Sequence, residues 1–412
     1  MKKGFWGFFW TQVLGALNDN LYKMAMIVWI TFTEVPDLGD FTRSTLVIVS
    51  SGIYILPFFL FSATAGWLAD RYPKDIVIRW TKIAEIVIML AGAVAFILGS
   101  IPALIIVLFL MGAQSAFFSP PKYGVIPELC EPEKLMRANG LIGMGNLFAM
   151  LAGTLAGTFL GLMDKLIYAA IAVVLVAALG YITSLRIPRL PARAPDLKRE
   201  GNLFQETYSR LHDVKRMPLI FPFLILISWF WFHGAYMLQL LPLWSKAAKV
   251  RYGAFISLTI VLFSCGSGLG SLLCGQRKKA DPATSMRALI LLALGTAAIA
   301  LLPQGELSCF AALTIAGMAA GYYSVPLYTI VQKEASLDIR ARVFSGGNIL
   351  DAGFMVLASV IMQAQEFAGF SFPERFIALA CLDALFLIFL VRQIKLWRKH
   401  ISGVKRPTGP QQ

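Results

Sequence analysis

Phe118-Ser119-Pro120-Pro121-Lys122-Tyr123 is matched 205 residues later by Tyr323-Ser324-Val325-Pro326-Leu327-Tyr328. At that one offset Ser119 meets Ser324, Pro121 meets Pro326, Tyr123 meets Tyr328 and Arg137 meets Arg342. Asn146 then meets Asp351, a polar side chain in one apolar run against a polar side chain in another. Order kept at a single spacing over roughly thirty residues marks an internal duplication, so the two halves of the chain share one architecture.

Composition says what is duplicated. Of 412 residues 58% are hydrophobic and 15% charged, against about 25% charged in a soluble domain. Mean hydropathy is +0.69. A helix needs ~20 apolar residues to cross a bilayer. Twelve such runs lie near 5–33, 44–68, 76–99, 101–119, 138–161, 165–186, 218–244, 253–275, 286–303, 307–328, 343–366 and 372–394. The first is too long, and too polar at its centre, for a cleaved signal peptide. The long polar segment between runs six and seven holds Pro188, Pro191, Pro195 and many Lys and Arg. The expected organisation is a six-helix half over 1–186, a cytoplasmic linker over 187–217, a second half over 218–394 and a cytoplasmic tail over 395–412. An all-α integral membrane protein with twelve transmembrane helices in two pseudo-symmetric six-helix halves resembles the major facilitator superfamily. That resemblance implies a substrate site near the midplane between halves that rock to alternate access.

Basic residues set the expected orientation. Thirty of the 37 Lys and Arg fall on the N-terminal side, at the start, in the turns after spans 2, 4, 6, 8 and 10, and in the tail. Arg43, Lys165, Lys246, Lys249, Arg251 and Arg375 fall on the other side, and Lys23 lies within the membrane. This imbalance puts both termini in the cytoplasm. The net charge of +14 is then topology plus attraction to anionic lipid headgroups, with no nucleic-acid partner expected.

The first run carries the costliest residues. Gly15-Ala16-Leu17-Asn18-Asp19-Asn20-Leu21-Tyr22-Lys23 stands at its centre. An ionised aspartate there costs roughly 2.5–3.5 kcal/mol on insertion scales. On a helix Gln12, Ala16, Asp19 and Lys23 form one narrow stripe with Gly15 beside it. Such a stripe faces a bundle interior or a water-filled cavity, which makes it a candidate wall of a transport pathway. The plainer reading is an Asp19–Lys23 ion pair that locks this helix to its neighbours. Both readings stay open here.

Gly66-Trp67-Leu68-Ala69-Asp70-Arg71-Tyr72-Pro73-Lys74, after the second run, resembles the superfamily signature G-x-L-A-D-R-x-G-R/K. It implies a cytoplasmic gate using Gly66, Asp70 and Arg71. Pro73 and Asp75 depart from the pattern. Gly275-Gln276-Arg277-Lys278-Lys279 is the matching turn in the second half and keeps the glycine and charge without the aspartate. Asp351 and Arg342 are expected to join Asp70 and Arg71 in that gate.

Within the superfamily, three stretches resemble the lysophospholipid transporters, including the transporter part of fused acyltransferase–acyl-carrier-protein synthetase proteins. They are Leu14 to Lys23; Ser119 to Gly124, continuing through Glu128-Leu129 to Ala138-Asn139-Gly140-Leu141; and Val325 to Gln332 with Arg340 to Asn348. The resemblance implies flippase-like movement of lysophospholipids from the periplasmic to the cytoplasmic leaflet of a bacterial inner membrane, for reacylation there. A cytoplasmic acyltransferase is the implied partner, and the transporter is expected to be a monomer. Asp19, Asn20 and Lys23 suit a zwitterionic headgroup, carboxylate to ammonium and ammonium to phosphate. Lys122 is placed either to meet phosphate or to snorkel to the cytoplasmic surface, Gln114 to line the cavity, and Trp229, Trp231, Phe232 and Tyr236 either to line a tail groove or to anchor and pack the helix. Family members can carry a phosphate-binding arginine in helix 7. Here His233 to Leu240 has none, and neutral Gln239 and His233 are its polar residues. That departure keeps another amphiphile, such as a drug or siderophore, in view as cargo. A silent lipid-presenting subunit of an acyltransferase is a third reading.

No H-x-x-x-x-D, GxxxxGK[ST] or GxSxG motif occurs, so neither acyl transfer nor ATP hydrolysis is expected. Five scattered cysteines without CxxC spacing suggest neither a disulfide framework nor zinc, and no metal or cofactor is expected.

Overall fold

In this computed structural model the described residues are 1–32, 40–163, 165–199, 201–247, 253–303 and 307–403. Lys249 and Arg251 lie outside them, as do the side chains of Arg43 and Lys246 and the end of the tail beyond Gly403. Thirteen α-helices form among the described residues: Phe5–Phe32 (α1), Asp40–Arg71 (α2), Lys74–Leu98 (α3), Ile101–Val125 (α4), Leu135–Gly161 (α5), Ile167–Ser184 (α6), Leu203–Lys215 (α7), Phe221–Ala247 (α8), Gly253–Gly275 (α9), Pro282–Leu301 (α10), Leu307–Glu334 (α11), Arg340–Phe367 (α12) and Phe372–Gly403 (α13). Eleven of them are long and apolar enough to cross a membrane. α1, at 28 residues, is long enough too, but the polar residues at its centre hold down its apolarity. α7 is the exception, a 13-residue amphipathic helix inside the 187–217 segment, opened by an Asn202–Gln205 capping box.

The packing map repeats from one half to the other. α1 packs on α5, α2 on α4, and α3 on both α4 and α6; α8 packs on α12, α9 on α11, and α10 on both α11 and α13. The halves meet through α2–α12 and α5–α9, two contacts that exchange under the same duplication. α3 and α6 turn apolar stripes outward, Val87, Leu90, Val94 and Ile97 on one and Ile171, Leu175, Leu179 and Ile182 on the other. Exposed apolar faces of this extent belong against lipid.

Small residues set the closest approaches, since packing rather than hydrophobicity joins helices in a bilayer. Gly153, Gly157 and Gly161 lay one face of α5 against the backbone of α1 at Leu17, Leu21 and Ala25. Gly140 of α5 faces Gly275 of α9, where a Cβ on Gly140 would come within 2.8 Å of the Gly275 Cα. The glycine of the Gly275 turn is thus a contact between halves, as Gly66 is against Ser345 of α12.

Candidate functional site

Asp19 sits where α1, α2 and α4 meet. Its Oδ2 accepts hydrogen bonds from Ser115 Oγ at 2.8 Å and from the Tyr54 hydroxyl at 3.0 Å. Lys23, one turn on, holds Nζ 5.6 Å from the centre of the Tyr54 ring, a cation–π arrangement. Among the described residues, neither Asp19 nor Lys23 has an oppositely charged side chain within 4.0 Å. The two share a face without forming the ion pair that one reading of the sequence allowed.

Behind Asp19 runs a buried polar network that reaches α3. Glu85 pairs with Lys82 at 2.6 Å and accepts from Gln114 Nε2 at 3.3 Å and Asn18 Nδ2 at 3.2 Å. Gln114 also donates to the Thr81 carbonyl, and Ser115 next to it carries the chain of contacts to Asp19. Lys82, counted with the basic turn after the second span, is instead 1% exposed inside the bundle. Gly15 makes room for it: a Cβ there would stand 2.6 Å from Lys82 Nζ. Tyr54, Ser115 and Lys82 are members of this site that sequence reasoning missed.

Other candidates fall elsewhere. Asn20 turns toward α5, with its amide donating to the Ala16 carbonyl of its own helix, and does not join Asp19 and Lys23. Gln114 is directed at α3, where Thr81 and Glu85 use its amide. Lys122 lies within the last turn of α4, half-buried, over the Tyr123 ring and near enough to Asp19 to feel its charge. Gln239 donates to Ser359 Oγ at 3.0 Å across the α8–α12 seam and lines a recess of about 280 Å³ with Leu243, Met362 and Phe372. Of the aromatics expected in the seventh span, which is α8, Trp229, Phe232 and Tyr236 are buried in packing, and Trp231 donates to the Tyr328 hydroxyl. His233 and Trp229 both hydrogen-bond the buried Asp383, so His233 is a helix-contact residue.

The linker-side end is closed by contacts between the halves. Asp70 accepts from the backbone N–H groups of Ala341 and Arg342 and from Arg342 Nε, at 3.1 to 3.2 Å. It therefore caps the N-terminus of α12 as well as pairing with a side chain, adding the helix dipole to the ion pair. Tyr123 and Tyr328, related by the 205-residue offset, stack on each other at 4.8 Å, so the pseudo-twofold axis passes between them. Phe344 stacks on Tyr123, Ser119 donates to Asn348, and Asn139 donates to Thr329 and Gln332.

Two expected gate members act differently. Arg71 donates to the Leu197 carbonyl and lies over Trp67 and Tyr72, so it holds the linker and not α12. Asp351 accepts from Ser228 on α8 at 2.6 Å, within its own half. It stands about 13 Å along α12 from Arg342, at ~1.5 Å per residue, which takes it off the gate.

Asp70→Ala removes three hydrogen bonds at once, each worth ~1.5–3 kcal/mol because the acceptor is charged. Spin labels on exposed Glu133 and Asp338 are then expected to report a longer-distance population that the unmodified gate lacks. An unchanged distance distribution would remove Asp70 from the gate.

Residues 9–359 match the family described as Major Facilitator Superfamily. The chain belongs to that superfamily. It is 30% identical over 341 residues to the lysophospholipid transporter LplT of Serratia proteamaculans, covering 80% of each chain. It is 28% identical over 353 residues to LplT of Klebsiella pneumoniae, covering 82% of this chain and 83% of the relative. Among solved structures, the human organic anion transporter MFSD10 aligns with a TM-score of 0.73 at 17% identity, over 94% of this chain and 98% of that one. The proton:xylose symporter XylE aligns with a TM-score of 0.72 at 13% identity, over 95% and 96%. The major facilitator fold read from the repeat is therefore the fold of this protein, a multi-pass membrane transporter resembling LplT.

Proposed function

We propose that this transporter carries lysophospholipids from the outer to the cytoplasmic leaflet of a bacterial inner membrane by alternating access, as a monomer with both termini in the cytoplasm. The supporting observation is a set of intramembrane charges of both signs without ion partners. Asp19, Lys23 and Lys122 have no opposite charge within 4.0 Å among the described residues. Unpaired charges inside a bilayer are costly and mark substrate or ion pathways. A headgroup with one phosphate and one ammonium supplies the missing counter-charges, and a single acyl chain can stay in the lipid beside it.

The cargo then passes the Tyr123–Tyr328 floor when the Asp70–Arg342 contacts break. A cytoplasmic acyltransferase consumes the delivered lipid. A second reading, another amphiphile as cargo, is favoured by the stretch from His233 to Leu240, which lacks an arginine.

Radiolabelled lysophosphatidylethanolamine uptake, in cells lacking their own carrier and then with the purified chain in liposomes, separates these readings. Uptake in both is the expected result. No uptake by well-expressed protein rejects the lysophospholipid assignment. Uptake in cells but not in liposomes would point to the lipid-presenting subunit.

A further inference from the structure

The linker helix α7 is built inside out. It buries Glu206, Arg210 and Val214, the two charged ones at 4% and 7% exposure. Phe204 and Tyr208 stand 75% and 74% exposed on the opposite face. Phe204, Tyr208, His212 and Lys215 follow one another at helical spacing and form a single outward stripe. A helix lying on a protein in water turns its aromatic residues inward and its charges outward. α7 does the reverse, as a helix facing lipid does.

Its position agrees with that environment. α7 packs across α2 and α12, at one of the two seams between the halves. Thr207 donates to the Phe59 carbonyl at 3.2 Å, and Thr64 donates to Glu206. Phe59 lies twelve residues before Arg71, the linker-side end of α2, which is ~18 Å along the helix at ~1.5 Å per residue. On α12, Val214 fills the space over Gly346, where a Cβ would come within 2.7 Å of its Cγ1, and Gly346 is ~9 Å along the helix from Arg340. A hydrocarbon core is ~30 Å thick, so contacts at these depths set α7 among the headgroups and the first part of the acyl chains. The bundle interior at this end is filled by the stacked rings of Tyr123, Tyr328 and Phe344, which leaves α7 on the outside of the seam. Glu206 is neutralised there by Arg199, at 2.6 Å. Lys198, Lys215 and Arg216 are exposed along the same segment, and the partly exposed acid Asp213 is paired with Arg210. The outer face is therefore aromatic and basic, complementary to a surface of anionic headgroups over acyl chains.

We propose that α7 is an in-plane membrane anchor whose outer face docks on the anionic lipid surface of the cytoplasmic leaflet, with Phe204 and Tyr208 entering the headgroup layer and Lys215 and Arg216 meeting lipid phosphate. This takes the linker side as cytoplasmic, the orientation proposed above, and is independent of the cargo. α7 touches α2 and α12 together in the closed arrangement. Anionic lipid that holds the helix in place therefore also clasps the seam and favours the closed gate.

The test uses the full-length protein with Cys265 and Cys381, the cysteines that are not buried, replaced by alanine. A spin label on His212→Cys is read in phosphatidylcholine vesicles with and without phosphatidylglycerol. Oxygen concentrates in lipid and a nickel chelate stays in water, so relaxation by each reports where the label lies. With phosphatidylglycerol present, the oxygen-to-nickel ratio at 212 is expected to exceed that of a label on the exposed Glu133→Cys by about fivefold or more. Lys215→Gln combined with Arg216→Gln is expected to lower the ratio at 212 by about fivefold in those vesicles, and to leave it unchanged in phosphatidylcholine alone. Labels on Glu133 and Asp338 are expected to show more of the longer-distance, open population in that double variant, again only where phosphatidylglycerol is present. His212, Lys215 and Arg216 are all exposed, so the fold does not depend on them. A label at 212 that the nickel chelate reaches as freely as one at 133 overturns the proposal, and is the result a face reserved for a soluble protein partner would give. A ratio at 212 that ignores phosphatidylglycerol overturns the anionic surface as its occupant. An unchanged gate population in the double variant overturns the clasp.

Discussion

Asp19→Asn is expected to cut lysophospholipid uptake by roughly ten- to a hundredfold while leaving the amount of folded protein close to wild type. The substitution is nearly isosteric. The Asn carbonyl oxygen can still accept from Ser115 and Tyr54, which now bond Asp19 at 2.8 and 3.0 Å. The neighbouring pair Lys82–Glu85 keeps its own 2.6 Å contact. What disappears is the negative charge, and with it the attraction for the cargo's cation or for a coupling ion. Losing one charged hydrogen bond costs ~1.5–3 kcal/mol, which converts to the stated fold-change. Uptake per folded molecule, normalised by quantitative blot and by thermal melting of the purified protein, is the measurement. Wild-type uptake from the variant would mean the carboxylate plays no part in transport. A parallel fall in uptake and melting temperature would mean that its role is to hold α1, α2 and α4 together.

The architecture was legible because it is written in one dimension. Apolar run lengths and an offset of 205 residues survive without any knowledge of contacts, and the stacked Tyr123–Tyr328 pair shows that offset converted into an axis. Asp19 was legible because an intramembrane charge is improbable without a purpose. Residues that carry no such cost were silent. Tyr54 and Ser115 look like ordinary helix residues until Asp19 is placed between them. Lys82 lies two turns into α3 from the linker side, where a lysine can usually snorkel out to the headgroups. Glu85 three residues later was the available signal, because a Lys–Glu pair at that spacing on one apolar helix can neutralise itself. Asp351 was assigned to the gate from its closeness to Arg342 in sequence, yet two and a half helical turns lie between them, and the partner came from α8. The linker helix α7 had a visible start signal in Asn202-Leu203-Phe204-Gln205, an N-cap followed three residues later by glutamine.

Lys82→Met is expected to destabilise the protein by roughly 3–5 kcal/mol, and Lys82→Met combined with Glu85→Gln to recover most of that loss. Lys82 is 1% exposed and Glu85 likewise 1%, so neither charge can be solvated once its partner is gone. A methionine fills the lysine's volume beside Gly15 and Phe118 without straining the packing. The cost therefore comes from the carboxylate left behind, which retains only neutral amide donors from Asn18 and Gln114. Replacing that carboxylate with an amide removes the orphaned charge, and a buried ion pair exchanged for neutral groups of similar size is often close to neutral in stability. The double-mutant cycle isolates the coupling, read as melting temperature and monodispersity in detergent. Strict additivity of the two single effects would show that water reaches the pair. Uptake by the double variant then gives the second readout. If the pair only positions α3 against α1 and α4, the rescued protein transports at close to the wild-type rate. If it transports no better than Asp19→Asn despite its restored stability, the charges of Lys82 and Glu85 act on cargo or coupling ion through the Gln114–Ser115–Asp19 contacts.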